Sequence, residues 1–551
     1  MRRWNGWGDT RVEYPLPGSA RDYLSGRLGP GQPLAEASLT ETCAALPPSR
    51  LHEQPELDIH PETRLRHARG HSLPDWLALR SGKPGPVPDA VTQPESTEAV
   101  RRLLTRAREQ DWLVIPCGGG TSVAGHINPP ASQRPVLSVD LGRMNRLLDI
   151  DPVSRIARFG AGTTGPQVEA QLRAHGFTLG HYPQSFEYST LGGWVATRSS
   201  GQQSLGYGRI EQLFAGGRLE TLDGPLDLPP FPASAAGPDL RELVLGSEGR
   251  LGILTEIDVR ISPLPEREAF QAWFFPDWDC GVRAARELIQ QRLPLSMLRL
   301  ATPEETAVQL ALAGRSLPAR LLEAWLAVSW AGRGGANKCL LLTGISGSRT
   351  HYRHVLGQTR VIVRRHRGRS AGASPGRRWA RNRFRLPYLR ESLWQAGYVI
   401  DTLETATHWS NLEHLLAGIE KALRQGLAEG SGNGPGKDGE QVLTFSHLSH
   451  AYPTGSSIYT TFLFRPGPDH ETALERWRTL KQTASQFIVE NGGTISHQHG
   501  VGRDHAPWLP AEKGVQGMRA LSALCREFDL QGQLNPGALI ATSPDTEESR
   551  T

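Results

Sequence analysis

The sequence predicts an α+β protein in which a ligand-binding domain carries a second domain over it. Three observations predict this. Short apolar runs that read as strands alternate with amphipathic helical segments between residues 94 and 176. After Pro263-Leu264-Pro265 the pattern changes to longer helices and strands, and three loops rich in glycine and hydroxyl side chains sit at strand ends. At 551 residues the chain is long for a single core, so two linked domains with extensions are expected.

Residues 1–84, rich in Pro, Gly and scattered His, read as a loop-rich extension. The first domain spans 85–264. Pro94-Glu95-Ser96 starts a helix with Val100, Leu103, Leu104 and Ala107 on one face, and Trp112 to Ile115 follows as a buried strand. Next comes Pro116-Cys117-Gly118-Gly119-Gly120-Thr121-Ser122. Three glycines can point successive N–H groups at one spot, forming a nest for an anion, although such triplets also make plain tight turns. No Lys follows and no helix opens, because His126-Ile127-Asn128-Pro129-Pro130 leads into a new strand at Val136 to Val139. A strand-to-strand loop excludes a P-loop and a Rossmann turn. A helix after Gly165-Pro166 ends at Gly176. A second cluster holds Gln184, Ser185, Phe186, Glu187, Tyr188, Ser189 and Thr190, then Thr197, Arg198, Ser199 and Ser200. A third, Glu248, Gly249, Arg250, Leu251, Gly252, Ile253 and Leu254, opens an alternating strand to Ile261. Three such loops suit an extended ligand with many hydrogen bonds, and a dinucleotide is the natural candidate. A side chain at Gly119 is expected to obstruct its pyrophosphate.

The second domain, 265–504, reads as an α/β cap over an antiparallel sheet, with a strand, a helix around Val282 to Arg292 and a strand at Ser296 to Leu300. Residues 505–551, with Leu534-Asn535-Pro536-Gly537, return to the first domain. Within the cap, Arg360, Arg364, Arg365, Arg367, Arg369, Arg377, Arg378, Arg381, Arg383 and Arg385 have no acid between them and flank the small residues Ser370 to Gly376. This segment reads as a solvated flexible loop or as a contact with anionic membrane. Nucleic acid is set aside, since only Trp379 and Phe384 interleave with the charge. Five cysteines without paired or metal-like spacing point to a reducing compartment. With neither a signal-like apolar stretch nor a run of eighteen apolar residues, a cytoplasmic protein, soluble or peripheral to a membrane, is expected.

The glycine triplet with Thr121-Ser122, the Ser185-to-Trp194 segment and the Gly246-to-Ile253 segment resemble the PCMH-type FAD-binding fold of the vanillyl-alcohol oxidase superfamily. Trp4-Asn5-Gly6-Trp7-Gly8 and Ser496-His497-Gln498-His499-Gly500-Val501-Gly502 narrow the resemblance to the alkyldihydroxyacetonephosphate synthases, from Trp4 to about Leu539. The resemblance implies a two-subdomain flavin domain and noncovalent FAD held by the three loops. A covalent link through Cys117 is the alternative to a small residue filling that position. It further implies exchange of the acyl chain of acyl-dihydroxyacetone phosphate for a fatty alcohol, with the substrate attached through flavin N5 and no net redox. A homodimer is the expected assembly. Tyr459 matches the tyrosine that the family uses beside the flavin, Arg390 its phosphate-binding arginine, and Arg299 another active-site arginine. His497 and His499 alternate, so on a strand both would face one way, as an acid/base pair with Tyr459 or as metal ligands joined by His447 and His450. Gln498 stands where flavin dehydrogenases of 2-hydroxy acids carry a metal-binding Glu, and an amide is a poor replacement for it. Such a dehydrogenase, acting on D-lactate or glycolate, is the alternative function.

Overall fold

The computed structural model describes residues 1–313, 337–428 and 439–541. Parts of the expected 265–504 and 505–551 segments therefore lie outside the described residues.

The first domain contains three sheets, the smallest an antiparallel pair of two-residue strands, Phe177–Thr178 and Ser262–Pro263. Strands Ala90–Thr92, Val136–Asp140 and Leu113–Cys117 form a parallel sheet in that order. An antiparallel sheet of five follows, in the order Leu147–Asp151, Ile156–Gly160, Ile253–Arg260, Phe214–Thr221, Gly224–Leu228. The helix Thr97–Glu109 is capped by the Ser96 hydroxyl, which accepts from the Ala99 amide, and it buries Val100, Leu103, Leu104 and Ala107 as its periodicity requires. Near the other end of the chain, Val114 exchanges hydrogen bonds with Gln533 and Asn535, so the 533–535 segment runs beside strand Leu113–Cys117.

The second domain is an eight-stranded antiparallel sheet. Its main path is Arg369–Gly372, Arg267–Phe275, Cys339–Gly347, Met297–Ala301, Leu443–Leu448, Gly455–Phe464, Val399–His408, and Ala451–Tyr452 pairs with Gly455–Phe464. One face carries Trp273, Phe275, Leu298, Leu300, Leu341, Ile458, Phe462 and Phe464. These pack with apolar residues of helices Trp278–Gln290, Arg349–Arg365, Leu412–Gly426 and His470–Glu490 into the largest core. The opposite face is left open toward the first domain.

One expectation is refined and another corrected. Residues 1–84 contain four helices, Gly18–Leu28, Leu39–Ala44, Pro61–Arg66 and Leu73–Arg80. Capping boxes at Ser38/Glu41 and Ser72/Asp75 start two of them. The arginine-rich segment Arg360–Arg385 is not a flexible loop: it comprises the end of helix Arg349–Arg365, strand Arg369–Gly372 and helix Ser374–Asn382. Tyr352, Val355, Leu356, Thr359, Ile362 and Val363 are buried along one stripe of the first helix, and that stripe anchors the basic face to the sheet. Among the described residues no helix is long and apolar enough to cross a membrane.

Candidate active site

A cavity of about 990 Å³ lies between the three glycine loops and the open face of the large sheet. This is the top of the roughly 300–1,000 Å³ range of small-molecule sites.

The loop wall depends on glycine. A Cβ on Gly118 would stand 2.2 Å from Thr190 Oγ1, and one on Gly119 1.8 Å from the Tyr188 carbonyl oxygen. A side chain at Gly119 would thus already collide with the neighbouring loop. Gly120 adopts φ +64°, a left-handed conformation that suits glycine. Among the described residues the N–H groups of Gly118, Gly119, Thr121 and Ser122 meet no backbone acceptor, and all four residues line the cavity. Unpaired amides beside a cavity are what a pyrophosphate needs. Pro116, Gln184, Ser185, Ser189, Thr190, Thr197, Ser199, Ser200, Glu248, Gly249, Gly252 and Leu254 also line it.

Cys117, Phe186, Glu187, Tyr188, Arg198, Arg250, Leu251 and Ile253 do not. Cys117 is buried with Leu113, Ile115, Ile127 and Val136, and burial pushes its thiol up to about 12, far from a reactive thiolate. Phe186 stacks on Phe384 at 4.8 Å, Arg198 pairs with Glu242, and Arg250 donates to the Leu534 carbonyl at 2.6 Å. These residues hold the loops together and do not face the cavity.

Sheet register builds the opposite wall. Pairing aligns His447, Tyr459 and Glu404 in one row, Phe445, Thr461 and Thr402 in the next, and Leu443, Leu463 and Ile400 in the third. Directly opposed residues share a face, and so do residues two apart along a strand, so the three rows form one surface graded from polar to apolar. All of these except Glu404 line the cavity. Beyond the third row the lining continues through Leu16 and through Ala20 and Leu24 of helix Gly18–Leu28.

At the polar end Arg390 donates to the His71 carbonyl at 2.7 Å, and its guanidinium lies 4.3 Å from the Trp76 ring centre. Among the described residues its Nη2 is buried without a partner, leaving a guanidinium edge that an anion can meet. Arg299 is more committed, donating to Glu305 at 2.6 Å. Tyr459 stacks on His447 with ring centres 4.9 Å apart and meets His499 edge-on at 5.9 Å. Burial pushes the Tyr459 phenol up to about 12 and the His499 imidazole down. Both are neutral near pH 7, a state in which a phenol and an imidazole can pass a proton in either direction.

His497 and His499 do not sit on a strand. They lie in an irregular turn held by Glu248, whose carboxylate accepts from the amides of Val501 at 2.6 Å and Gly502 at 2.8 Å. His499 and Gln498 line the cavity; His497 does not. His497 Nε2 lies 2.7 Å from the Tyr452 hydroxyl and 3.2 Å from Arg209, and its Nδ1 lies 3.2 Å from Glu404. The metal grouping differs from the expected one too. His447 is bound to Glu305, whereas Glu404, His450 and His497 bring one ligand atom each within 4.8 Å of one another and could hold a cation. Sequence reading missed Glu305, Glu404 and His71, and gave Arg383, a cavity-lining residue packed on Tyr182 at 4.4 Å, no role beyond charge.

The fold and the cavity define a flavoprotein of the FAD-linked oxidase class. The FAD binding domain family matches residues 88–226, and the family of FAD linked oxidases, C-terminal domain, matches 264–539. Alkyldihydroxyacetonephosphate synthase of Dictyostelium discoideum is 30% identical over 98% of this chain and 93% of its own. That of Trypanosoma brucei brucei is 27% identical over 99% and 94%. A solved alkyldihydroxyacetonephosphate synthase structure superposes with TM-score 0.82 at 27% identity, covering 97% of this chain and 98% of that one. The chain belongs to the alkyldihydroxyacetonephosphate synthase family, and its cofactor is FAD.

Proposed function

We propose that this flavoenzyme exchanges the acyl chain of acyl-dihydroxyacetone phosphate for a long-chain alcohol, producing an ether lipid precursor. The carrying observation is the graded sheet face. It joins a buried arginine edge and a Tyr/His pair at one end to a leucine-lined channel at the other, matching a phosphorylated head on a long chain. When bound, FAD supplies an electron-poor centre that accepts the substrate carbon after proton loss. Arg390 holds the phosphate. Tyr459 and His499 handle the proton next to the ketone, and the rows from Phe445 to Leu463 exclude water from the chain.

The arginine-rich segment suits contact with an anionic membrane, where such chains are found. Arg377, Arg378, Arg381 and Arg385 are exposed, Arg378 and Arg381 line the cavity, and Leu386 is 37% exposed beside them. A homodimer belongs to the same proposal and is checked by mass measurement in solution.

The deciding experiment is incubation with palmitoyl-dihydroxyacetone phosphate and hexadecanol. Ether product with the flavin still oxidised under anaerobic conditions supports the proposal. Bleaching of the flavin by D-lactate or glycolate, with no ether formed, would replace it with the dehydrogenase reading.

A further inference from the structure

Alkyl exchange needs a proton taken from the substrate carbon and later returned to it, and a proton taken from the incoming hydroxyl; Tyr459 with His499 answers the first need. A second titratable group lies on the neighbouring strand, its ring stacked on Tyr459 with centres 4.9 Å apart. His447 is 7% exposed, lines the cavity, and stands in the same row as Tyr459 but on the strand nearer helix Pro303–Ala313. Its Nδ1 lies 2.7 Å from Glu305 Oε2. Glu305 is 2% exposed, and His447 and Arg299 hold its carboxyl down at about 2, so it is ionised and accepts the Nδ1 proton. That fixes the tautomer and leaves Nε2 with a lone pair, the arrangement of a general base. Arg299 lies 3.2 Å from the same Nδ1, which opposes a positive imidazole at rest.

Position decides which substrate His447 serves. Along its strand the next inward-facing residues are Phe445 and Leu443, and helix Pro303–Ala313, which supplies Glu305, also lines the cavity with Val308 and Leu312. A chain lying against Leu443 and Leu312 therefore ends its apolar contact beside His447. Tyr459 and His499 lie on the other side, toward the turn gripped by Glu248.

Resting on the function proposed above, we propose that His447 is the base for the incoming alcohol and that Glu305 is its positioning residue. The alcohol O–H bond breaks, its proton goes to His447 Nε2, and its electron pair forms the new C–O bond at the carbon the acid has left. The old C–O bond departs with its pair as the fatty carboxylate, and His447 then returns the proton to water. No oxidant or reductant is required.

The test separates the two halves of the reaction. Enzyme in excess over palmitoyl-dihydroxyacetone phosphate carrying a labelled acyl chain is followed for label release without alcohol, then for ether formation with hexadecanol. For His447→Gln, ether formation should fall on the order of a hundredfold, with label release falling far less and the flavin spectrum intact. Glu305→Gln, which keeps an acceptor for Nδ1–H, should show a smaller loss confined to the same half. Equal falls in both halves would overturn the assignment to the alcohol step, as would unimpaired ether formation. If the native protein releases no label and forms no ether, the underlying function fails, and the proposal with it.

Discussion

Replacing Arg390 separates a phosphate-binding synthase from a relative that takes an unphosphorylated acid. Among the described residues the native side chain makes one hydrogen bond, to the His71 carbonyl at 2.7 Å, and leaves Nη2 buried with no partner. Meeting a phosphate oxygen there would add a charge-assisted hydrogen bond of about 1.5–3 kcal/mol. That corresponds to roughly ten- to a hundredfold in affinity. Arg390→Ala forfeits this bond and leaves the His71 carbonyl without its donor. Arg390→Lys keeps the charge but has a single ammonium to divide between carbonyl and phosphate, and it loses the planar stack on Trp76. Binding of palmitoyl-dihydroxyacetone phosphate, followed by perturbation of the flavin spectrum, should weaken in the order native, Lys, Ala. The dephosphorylated ester should bind poorly to all three and nearly equally. If it binds the native protein as well as its phosphate does, Arg390 has no phosphate to hold, and the assignment of this end of the cavity is wrong.

Tyr459→Phe and His499→Ala should each lower turnover on the order of a hundredfold while the protein still purifies yellow; near-normal rates in both would return them to packing roles. Gly119→Val should give colourless, less stable protein, because its Cβ meets the Tyr188 carbonyl; an intact flavin spectrum would refute that account of the loop. Acid precipitation should release FAD into the supernatant, whereas flavin retained in the pellet would reinstate a covalent link. Burial and nearby Asp75 push the Asp504 carboxyl up from 3.8 to about 7. Its ionisation is therefore penalised in the folded state, and stability falls as pH rises from about 4 through about 7, by at most roughly 4 kcal/mol. Asp504→Asn should accordingly raise the melting temperature more at pH 8 than at pH 5, and equal effects at both pH values would exclude this cause.

Much of the flavin domain was legible because its signals are local. The Ser96 cap and the Val100 stripe lie within a dozen residues, the glycine triplet directly follows the strand that ends at Cys117, and each is found in the described element. The arginine-rich segment carried an equally local signal, the stripe from Tyr352 to Val363, but its charge density drew attention from the apolar spacing. The site was legible only one residue at a time. Tyr459, Arg390 and His499 reach the cavity. The pairing of Glu305 with His447 joins residues 142 apart in sequence through tertiary packing, and no nearby pattern could have announced it. His497 misled for a related reason: alternation implies a common face only if the backbone is extended, and Gly500 and Gly502, at φ +74° and +56°, belong to a turn instead.

The graded sheet face also works as a ruler. Successive inward-facing rows stand about 7 Å apart, so the span from His447 to Leu443 is roughly 14 Å. The preferred length of the hydrocarbon tail thereby becomes a question of side-chain volume at Ile400, Leu443 and Leu463, and beyond them at Leu16 and Leu24. Larger residues there should favour shorter tails and smaller ones longer tails. Tail selection could then diverge between relatives while the Tyr459 row, and the chemistry it carries, stayed unchanged.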